Sequence, residues 1–283
     1  MFKTIINAWK IADLRKKMLF TALIVFIFRL GAALPVPFVN ISGGLISDQN
    51  ANNFMTYLSM MTGDAFNYGT LFAMSITPYI NASIIIELLT VAIPALERLA
   101  KEGEEGRKKI STITRYSSVV LALMQSTAYY FYIRSQNYLS LDADGNKFTG
   151  FFAVLQAITI IFCYTAGASL IMWLGEQINE KGIGNGISII LFAGIVSRMP
   201  TTLYSLYSYM DKGGAYYALA PIAFVSLILM IGFIVWMDNA ERRIPVQYAK
   251  RVVGRKMYGG QSTHIPIKVN MCGVLPIIFA SSI

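Results

Sequence analysis

The chain has 283 residues, of which 55% are hydrophobic and 14% are charged. Soluble domains carry about 25% charged residues, so this composition excludes an ordinary soluble protein and favours one that lies in a membrane. The formal net charge is +9, which in a soluble protein would suggest nucleic-acid binding. In a membrane protein the question becomes which side of the bilayer carries the charge.

Residue sets for catalysis or metal binding are missing from the sequence. Cys163 and Cys272 fall in apolar runs, where we expect small buried packing residues rather than a disulfide or a metal pair. With His264 as the single histidine, they cannot build a four-ligand zinc site. No Ser/His/Asp set or paired carboxylates occur, so we expect neither an enzyme nor a cofactor.

The N-terminal residues predict an amphipathic helix at the membrane interface. One helical face holds Phe2, Ile5, Ile6 and Trp9. Basic residues lie beside this face, and we expect residues 1–17 to form a cytoplasmic N-terminal segment.

Seven apolar runs approach the roughly 20 residues that a membrane-spanning helix needs. They are Met18–Phe38, Leu71–Leu96, Tyr116–Ile133, Phe151–Leu174, Gly184–Tyr204, Tyr216–Met237 and the run from Val269 onward. The sequence therefore predicts an all-α, polytopic transmembrane helical bundle. The seventh run reaches Ile283 without a polar flank, so we expect a chain truncated within that span.

Basic residues predict the orientation of these spans, because Lys and Arg concentrate in cytoplasmic loops. With the N-terminus in the cytoplasm and all seven runs crossing, most of the 24 Lys and Arg residues fall in cytoplasmic segments. The fifth run is short before Arg198. We expect it to cross with Arg198 reaching back to the outer interface, since otherwise the most basic loop would lie outside.

The first outer loop, about residues 40–70, contains no Lys or Arg. Phe54, Tyr57, Leu58 and Met61 recur at intervals of three and four, which indicates one apolar face of a short helix. Two interpretations remain open. The helix either packs on the outer leaflet or folds back into a cavity between the spans.

The first two spans contain an unusual proline and two charges. Pro78 is expected in the first turn of the second helix, with Leu71–Thr77 leading into it. Glu87 and Arg29 are costly inside a membrane and usually face a partner or a wet cavity. We expect them to form a structural ion pair, with a proton relay as the alternative.

Three glycines, Gly182, Gly184 and Gly186, precede the fifth run. Glycine-rich turns before helices can hold phosphate, but no strand precedes this one and the P-loop Lys-Ser/Thr pair is missing. The pattern therefore predicts a tight turn that uses glycine at positive φ.

A long basic loop, Asp238–Lys268, follows the sixth run. Ile244, Val246 and Tyr248 recur at every second position, as do Ile265 and Ile267, which predicts a β-hairpin standing out from the membrane. It could attract anionic lipids or dock an acidic partner or RNA. Its basic residues are Arg242, Arg243, Lys250, Arg251, Arg255 and Lys256, and Arg107 and Lys108 stand out in the earlier loop Arg98–Arg115.

Several stretches together resemble the SecY family of translocase subunits, in the family's order along the chain. They are Phe28–Pro37, Ile76–Ile86, Lys101–Lys109, Thr114–Tyr116, Trp173–Ser188, Glu241–Val246 and Val269–Pro276. The most specific reads Trp-Leu-Gly-Glu-Gln-Ile-Asn-Glu-Lys-Gly-Ile-Gly-Asn-Gly-Ile-Ser and begins at Trp173.

The resemblance implies an inverted-repeat fold with ten spans in two halves. Residues 18–206 would form the first half with five spans, and residues 207–283 would begin the second half. The second part would hold the sixth span, the basic loop 238–268 and a partial seventh span.

The resemblance also implies roles for individual residues. Residues 54–67 correspond to the family's plug, including Phe54, Tyr57, Leu58, Met61 and Gly63. A pore ring of aliphatic side chains corresponds to Ile80, Ile84, Ile187, Leu191 and Ile278. The second and seventh spans would form a lateral gate, and the basic loop would dock partners. An amide is usual in the family where Glu87 stands.

The function implied is a protein-conducting channel in the bacterial plasma membrane, which passes unfolded secretory polypeptides across it and signal or membrane segments laterally into it. The implied partners are SecE, SecG, the SecA ATPase motor, the ribosome, signal peptides, the translocating chain and anionic lipids. Two alternatives from other classes stay open. One is an ion-coupled secondary transporter that uses Glu87 and Arg29, and the other is a purely structural membrane scaffold.

Overall fold

A computed structural model describes residues 9–41, 43–45, 56, 59–140, 148, 150–211, 216–246, 251–253, 256–258 and 263–270. Several predicted features lie outside the described residues, among them Phe2, Ile5, Ile6, Phe54, Tyr57, Leu58, Lys250, Arg255, Cys272 and Ile278. So does the seventh apolar run beyond residue 270. The chain divides into two compact units, Met1–Thr201 and Thr202–Ile283.

The first helix, α1 (Ala12–Ala33), begins six residues before the predicted span and ends earlier than predicted. Leu34 has an extended backbone, with φ −79° and ψ 120°. Pro35 follows it, and a residue before proline is disfavoured in the helical region. The helix therefore ends at the Leu-Pro step instead of continuing to Phe38.

The second predicted run does not form one helix. It divides into α2 (Thr77–Ala92) and α3 (Pro94–Lys101), whose axes differ by 101°. Ile93 between them is extended because Pro94 follows it. The prediction for Pro78 is confirmed, since the helix starts at Thr77 with this proline in its first turn.

Two long helices follow. The helix α4 (Glu104–Ser135) extends well before the third apolar run, so most of the loop predicted at residues 98–115 is helical. The helix α5 (Phe151–Lys181) likewise extends beyond the predicted run at its C-terminal end. In the first unit α4 packs against α2 and α5.

The fifth run forms α6 (Gly186–Ser197), and α7 (Met199–Asp211) follows after Arg198. The sixth run forms α8 (Tyr216–Asp238), as predicted. Three described helical stretches are long and apolar enough to cross a membrane, namely Phe151–Lys181, Gly186–Asp211 and Leu219–Asp238. The bent pair of α2 and α3 gives a fourth if it counts as one span.

The core of the first unit consists of two clusters of buried apolar side chains. One cluster lies between α4 and α5 and includes Tyr129, Ile133, Ile160 and Tyr164. The other joins α1, α5 and α6 and includes Ile24, Phe28, Ile171, Ile178 and Ile190. Phe66 belongs to the first cluster and Phe72 to the second, so the chain between α1 and α2 contributes to both.

The second unit confirms the predicted β-hairpin. Strand β1 (Glu241–Val246) pairs antiparallel with β4 (Thr263–Lys268), and β2 (Arg251–Val253) pairs with β3 (Lys256–Tyr258). The innermost described pair is Val253 with Lys256. The hairpin therefore turns back before Gly259 and Gly260, which lie between β3 and β4.

Candidate functional site

Residues 59–76, called the turn segment below, run among the helices of the first unit instead of lying on its surface. Five of its side chains, Ser59, Thr62, Ala65, Phe66 and Thr70, are at most 7% exposed. Residues 72–76 are also buried. The described part of the loop thus favours the folded-back interpretation over a helix on the outer leaflet.

Hydrogen bonds within the turn segment replace the regular pairing that a helix would supply. The Asp64 and Thr70 amides donate to the carbonyls of Ser59 and Ala65, with donor–acceptor distances of 3.0 and 3.1 Å. The Thr62 hydroxyl accepts a bond from the Phe66 amide at 3.2 Å. Irregular backbone at membrane depth is tolerated only where protein buries it, and these bonds satisfy part of the segment's polar groups from within.

The helix α1 holds the turn segment through backbone and aromatic contacts. The Leu71 amide donates to the Leu34 carbonyl at 2.9 Å. The rings of Phe28 and Phe72 stack with centroids 5.9 Å apart. Phe72 also covers Gly31, where an added Cβ would lie only 2.1 Å from the ring.

The helices α4 and α5 hold it through two buried tyrosines. The Tyr129 hydroxyl donates to the Phe66 carbonyl at 2.5 Å, and the Tyr164 hydroxyl donates to the Gly69 carbonyl at 3.0 Å. Sequence reasoning missed both residues because a tyrosine in an apolar run looks like ordinary core. Their only signal is a hydroxyl that must find a partner when it is buried.

The helix α6 contacts the turn segment at a close approach of two backbones. A Cβ added at Gly194 would lie 3.0 Å from the Met61 carbonyl oxygen. A Cβ added at Gly63 would lie 2.7 Å from the Gly194 carbonyl oxygen. Glycine at both positions therefore lets the segment lie directly against α6.

Four of the five predicted ring residues lie in described helices. Ile80 and Ile84 are one turn apart on α2, while Ile187 and Leu191 are one turn apart on α6. Ile80, Ile187 and Leu191 are partly buried and pack against the cluster that includes Phe72. Ile84 is 5% exposed. The structure thus brings α2 and α6 to the core that the turn segment also enters.

The predicted ion pair between Arg29 and Glu87 does not form. The Arg29 guanidinium instead donates to the Gly63 carbonyl at 3.5 Å. Glu87 is exposed on α2, and none of the ion pairs between described residues joins it to Arg29. The chain bends into the turn segment, which brings the Gly63 carbonyl to Arg29. The comparisons below also give the transporter alternative no support.

The start of α6 is fixed by the glycine turn that the sequence predicted. Gly184 has φ +76°, as expected. Asn185 caps the helix by accepting from the amides of Ile187 and Ser188. Asn179 accepts from the Gly186 amide at 2.7 Å. These asparagines position Ile187, and Asn185 was recognisable beforehand as a residue type that favours helix caps.

The basic residues predicted to dock partners lie in both units and are described separately. Arg107 and Lys108 are exposed in the first two turns of α4. Arg242 and Arg243 are exposed on β1, where they pair with Ile267 and Pro266 of β4. Neighbouring strand residues point to opposite faces, so these two arginines lie on opposite faces of the hairpin. Arg251 and Lys256 lie in strands β2 and β3.

Comparisons with known proteins agree with this architecture. The family model described as SecY matches residues 70–283. The chain is 42% identical over 286 residues to protein translocase subunit SecY of Streptomyces scabiei, covering 100% of this chain and 65% of that protein. For SecY of Corynebacterium glutamicum the identity is 44% over 288 residues, with coverages of 99% and 63%.

Solved structures share the fold at low sequence identity. A protein-conducting channel matches with a TM-score of 0.63 and 19% identity, covering 95% of this chain and 56% of that one. A SecY protein whose plug domain stabilises the closed state of the translocation channel matches with a TM-score of 0.61 and 17% identity, with the same coverages. Sec61 from a canine ribosome–channel complex matches with 0.61 and 18% identity over 95% and 56%.

The fold is therefore that of a polytopic helical membrane protein, shared with those channel structures. The chain belongs to the SecY family. It spans 65% of the length of the Streptomyces scabiei relative.

Proposed function

We propose that the protein is the pore-forming subunit of a protein translocase in the bacterial plasma membrane. It conducts unfolded secretory polypeptides across the membrane and passes signal or membrane segments laterally into it. The observation that carries this proposal is the turn segment, which is folded back among α1, α4, α5 and α6 beside the aliphatic side chains of α2 and α6. The subunit is not an enzyme, and its partners supply the energy that drives polypeptide transport.

The seal of the closed channel combines the turn segment with the aliphatic ring. Apolar constrictions stop ions because water leaves them readily. Ile80, Ile84, Ile187 and Leu191 supply such side chains from two helices, and Ile278 would add one from the seventh span. The solved SecY relative with a sealing plug domain supports this reading of residues 54–67.

Opening requires ligands that bind the open state more tightly than the closed one. We assign this role to signal segments, which would enter between the second and seventh spans, and to cytoplasmic partners. SecA and the ribosome would dock on the basic hairpin, and the ribosome complex of the Sec61 relative supports this class of partner. SecE and SecG would complete the assembly in the membrane, and anionic lipids would attract the remaining basic residues.

Deleting residues 54–67 tests the proposed function. We expect single-channel recordings of the full-length protein, reconstituted with SecE, to change from silent to flickering and leaky, because the seal loses the segment that fills it. The parent protein recorded under the same conditions is the control. If both stay silent, the segment is ordinary structure, and the transporter and scaffold alternatives regain weight.

Charge reversal on the hairpin tests the docking role. We expect Arg242→Glu with Arg255→Glu to weaken SecA and ribosome binding about tenfold, because complementary charges set association with an acidic partner. Binding to reconstituted protein would be measured at two salt concentrations, since screening should shrink the difference. Arg134→Glu is the control, because this exposed arginine ends α4 on the side predicted to face away from these partners. Unchanged affinity in the hairpin variant would remove the docking role.

A further inference from the structure

An ion pair between Asp64 and Arg198 holds the Gly63–Asp64 turn. The resemblance to the SecY family assigned no role to this pair of residues. The Arg198 Nε atom lies 2.9 Å from Asp64 Oδ2. The other carboxylate oxygen, Oδ1, accepts a hydrogen bond from the Ser59 hydroxyl at 3.0 Å. The two charged side chains are 29% and 24% exposed, so both are largely withdrawn from solvent. Charge-assisted bonds of this kind are stronger than neutral ones.

The backbone of this turn has two consecutive residues with positive φ, next to the end of α6. Gly63 has φ +63° and Asp64 has φ +70°. Among residues other than glycine, Asp and Asn tolerate this left-handed region best. The turn presses against the last turn of α6, because a Cβ at Gly63 would lie 2.7 Å from both the Gly194 carbonyl oxygen and the Ser197 hydroxyl. Arg198 follows directly after this helix turn.

The same turn is also held by an arginine that lies earlier in the chain. Arg29 of α1 donates to the Gly63 carbonyl. Two arginines, one in α1 and one directly after α6, thus contact consecutive residues of one turn. The later half of the turn segment has separate attachments. Its backbone carbonyls accept hydrogen bonds from Tyr129 and Tyr164, and its Leu71 amide donates to the Leu34 carbonyl. We therefore expect loss of the ion pair to loosen residues 59–65 from α6 while residues 66–76 stay attached.

We propose that the Asp64–Arg198 ion pair is a latch that positions the first half of the turn segment against α6 and so holds the seal closed. The inference rests on the proposed sealing function and adds the contact that sets its resting state. Arg198 directly follows α6, the helix that carries Ile187 and Leu191. The latch therefore ties the segment directly to a helix of the aliphatic ring, and movement of α6 would release both together.

Asp64→Asn and Arg198→Gln test the latch in the full-length protein reconstituted with SecE. Asparagine keeps the shape of aspartate and its tolerance of positive φ, so the fold should survive. We expect each variant to raise the resting open probability about tenfold, as expected for loss of one charge-assisted contact. Arg198→Lys keeps the charge and should remain closer to the parent protein.

A second readout follows the position of the turn directly. Spin labels at Met60→Cys and Ile195→Cys would report the distance between the turn segment and α6, since both native side chains are more than half exposed. We expect the distance distribution to broaden in Asp64→Asn and Arg198→Gln. The matched control is Glu176→Gln, which removes the 2.6 Å ion pair between Arg115 and Glu176 away from the turn segment.

The outcomes separate the latch from the channel function. If the variants keep the parent's distances and open probability while deletion of residues 54–67 leaks, the latch is wrong and the seal stands. If Glu176→Gln produces the same effects, general destabilisation explains them and the latch is again wrong. If the deletion itself causes no leak, the proposed function fails and the latch fails with it.

Discussion

Replacing Ile80, Ile84 and Ile187 together by glycine will make a resting membrane leak ions. Each of these side chains is fully or partly buried, and they belong to α2 and α6, which reach the core that the turn segment also enters. Removing three branched side chains would widen the proposed apolar constriction and let water remain in it, so ions could follow. The measurement is ion conductance of the reconstituted full-length protein without a translocating chain.

Glycine itself weakens a helix, by about 1 kcal/mol relative to alanine at an interior position. The control must therefore place three glycines on the same two helices at exposed positions. Ile85, Leu88 and Ile195 are 45%, 54% and 57% exposed and meet this requirement. We expect the control to conduct no more than the parent protein. Equal leakage from both triple variants would show that helix weakening, not the ring, opens the channel.

Gly167→Ala will displace the turn segment and destabilise the first unit. A Cβ at this position of α5 would lie 2.2 Å from the Leu71 carbonyl oxygen, and real Cβ atoms do not come so close. Because the neighbouring atom is backbone, the chain must shift, and overpacking of this kind costs about 1–3 kcal/mol. We expect a lower free energy of unfolding, measured by thermal denaturation in detergent, together with increased resting conductance.

Gly175→Ala provides the matched control on the same helix. A Cβ there would meet the side-chain ends of Ile190 and Ile76 at 3.5 Å, which is ordinary van der Waals contact. Alanine also favours a helix over glycine by about 1 kcal/mol. This variant should therefore be as stable as the parent or slightly more so. If both alanine variants lose the same stability, the close approach of Leu71 to α5 does not determine the effect.

The positions of the helices could be predicted from the sequence better than their ends. Apolar runs identify the segments that become α5, α6 and α8, because exclusion from water acts on whole stretches of side chains. The ends depend on single residues, as at Ile93, where Pro94 breaks the second run. A proline is visible in the sequence, but its bend of 101° depends on how α3 packs against α4.

The turn segment could be predicted only in outline. The i, i+3, i+4 spacing drew attention to the region, yet it left both a surface helix and a folded-back helix open. What holds the segment is a set of contacts distant in sequence, such as Tyr164 with Gly69 and Arg198 with Asp64. Local periodicity carries no information about such pairs. The expected partner of Arg29 was wrong for the same reason. Every residue has a backbone carbonyl, so the sequence does not show which one contacts Arg29.

The break at Ile93 also determines how α2 matches the thickness of a bilayer. With 16 residues, α2 is about 24 Å long, whereas the hydrocarbon core of a bilayer is about 30 Å thick. Its exposed side includes Ile85, Leu88 and Val91, the last of which is 83% exposed. A helix shorter than the hydrocarbon is accommodated by thinning of the lipid beside it or by its neighbours. If α2 crosses the bilayer, we therefore expect acyl-chain length to act on the protein beside this helix.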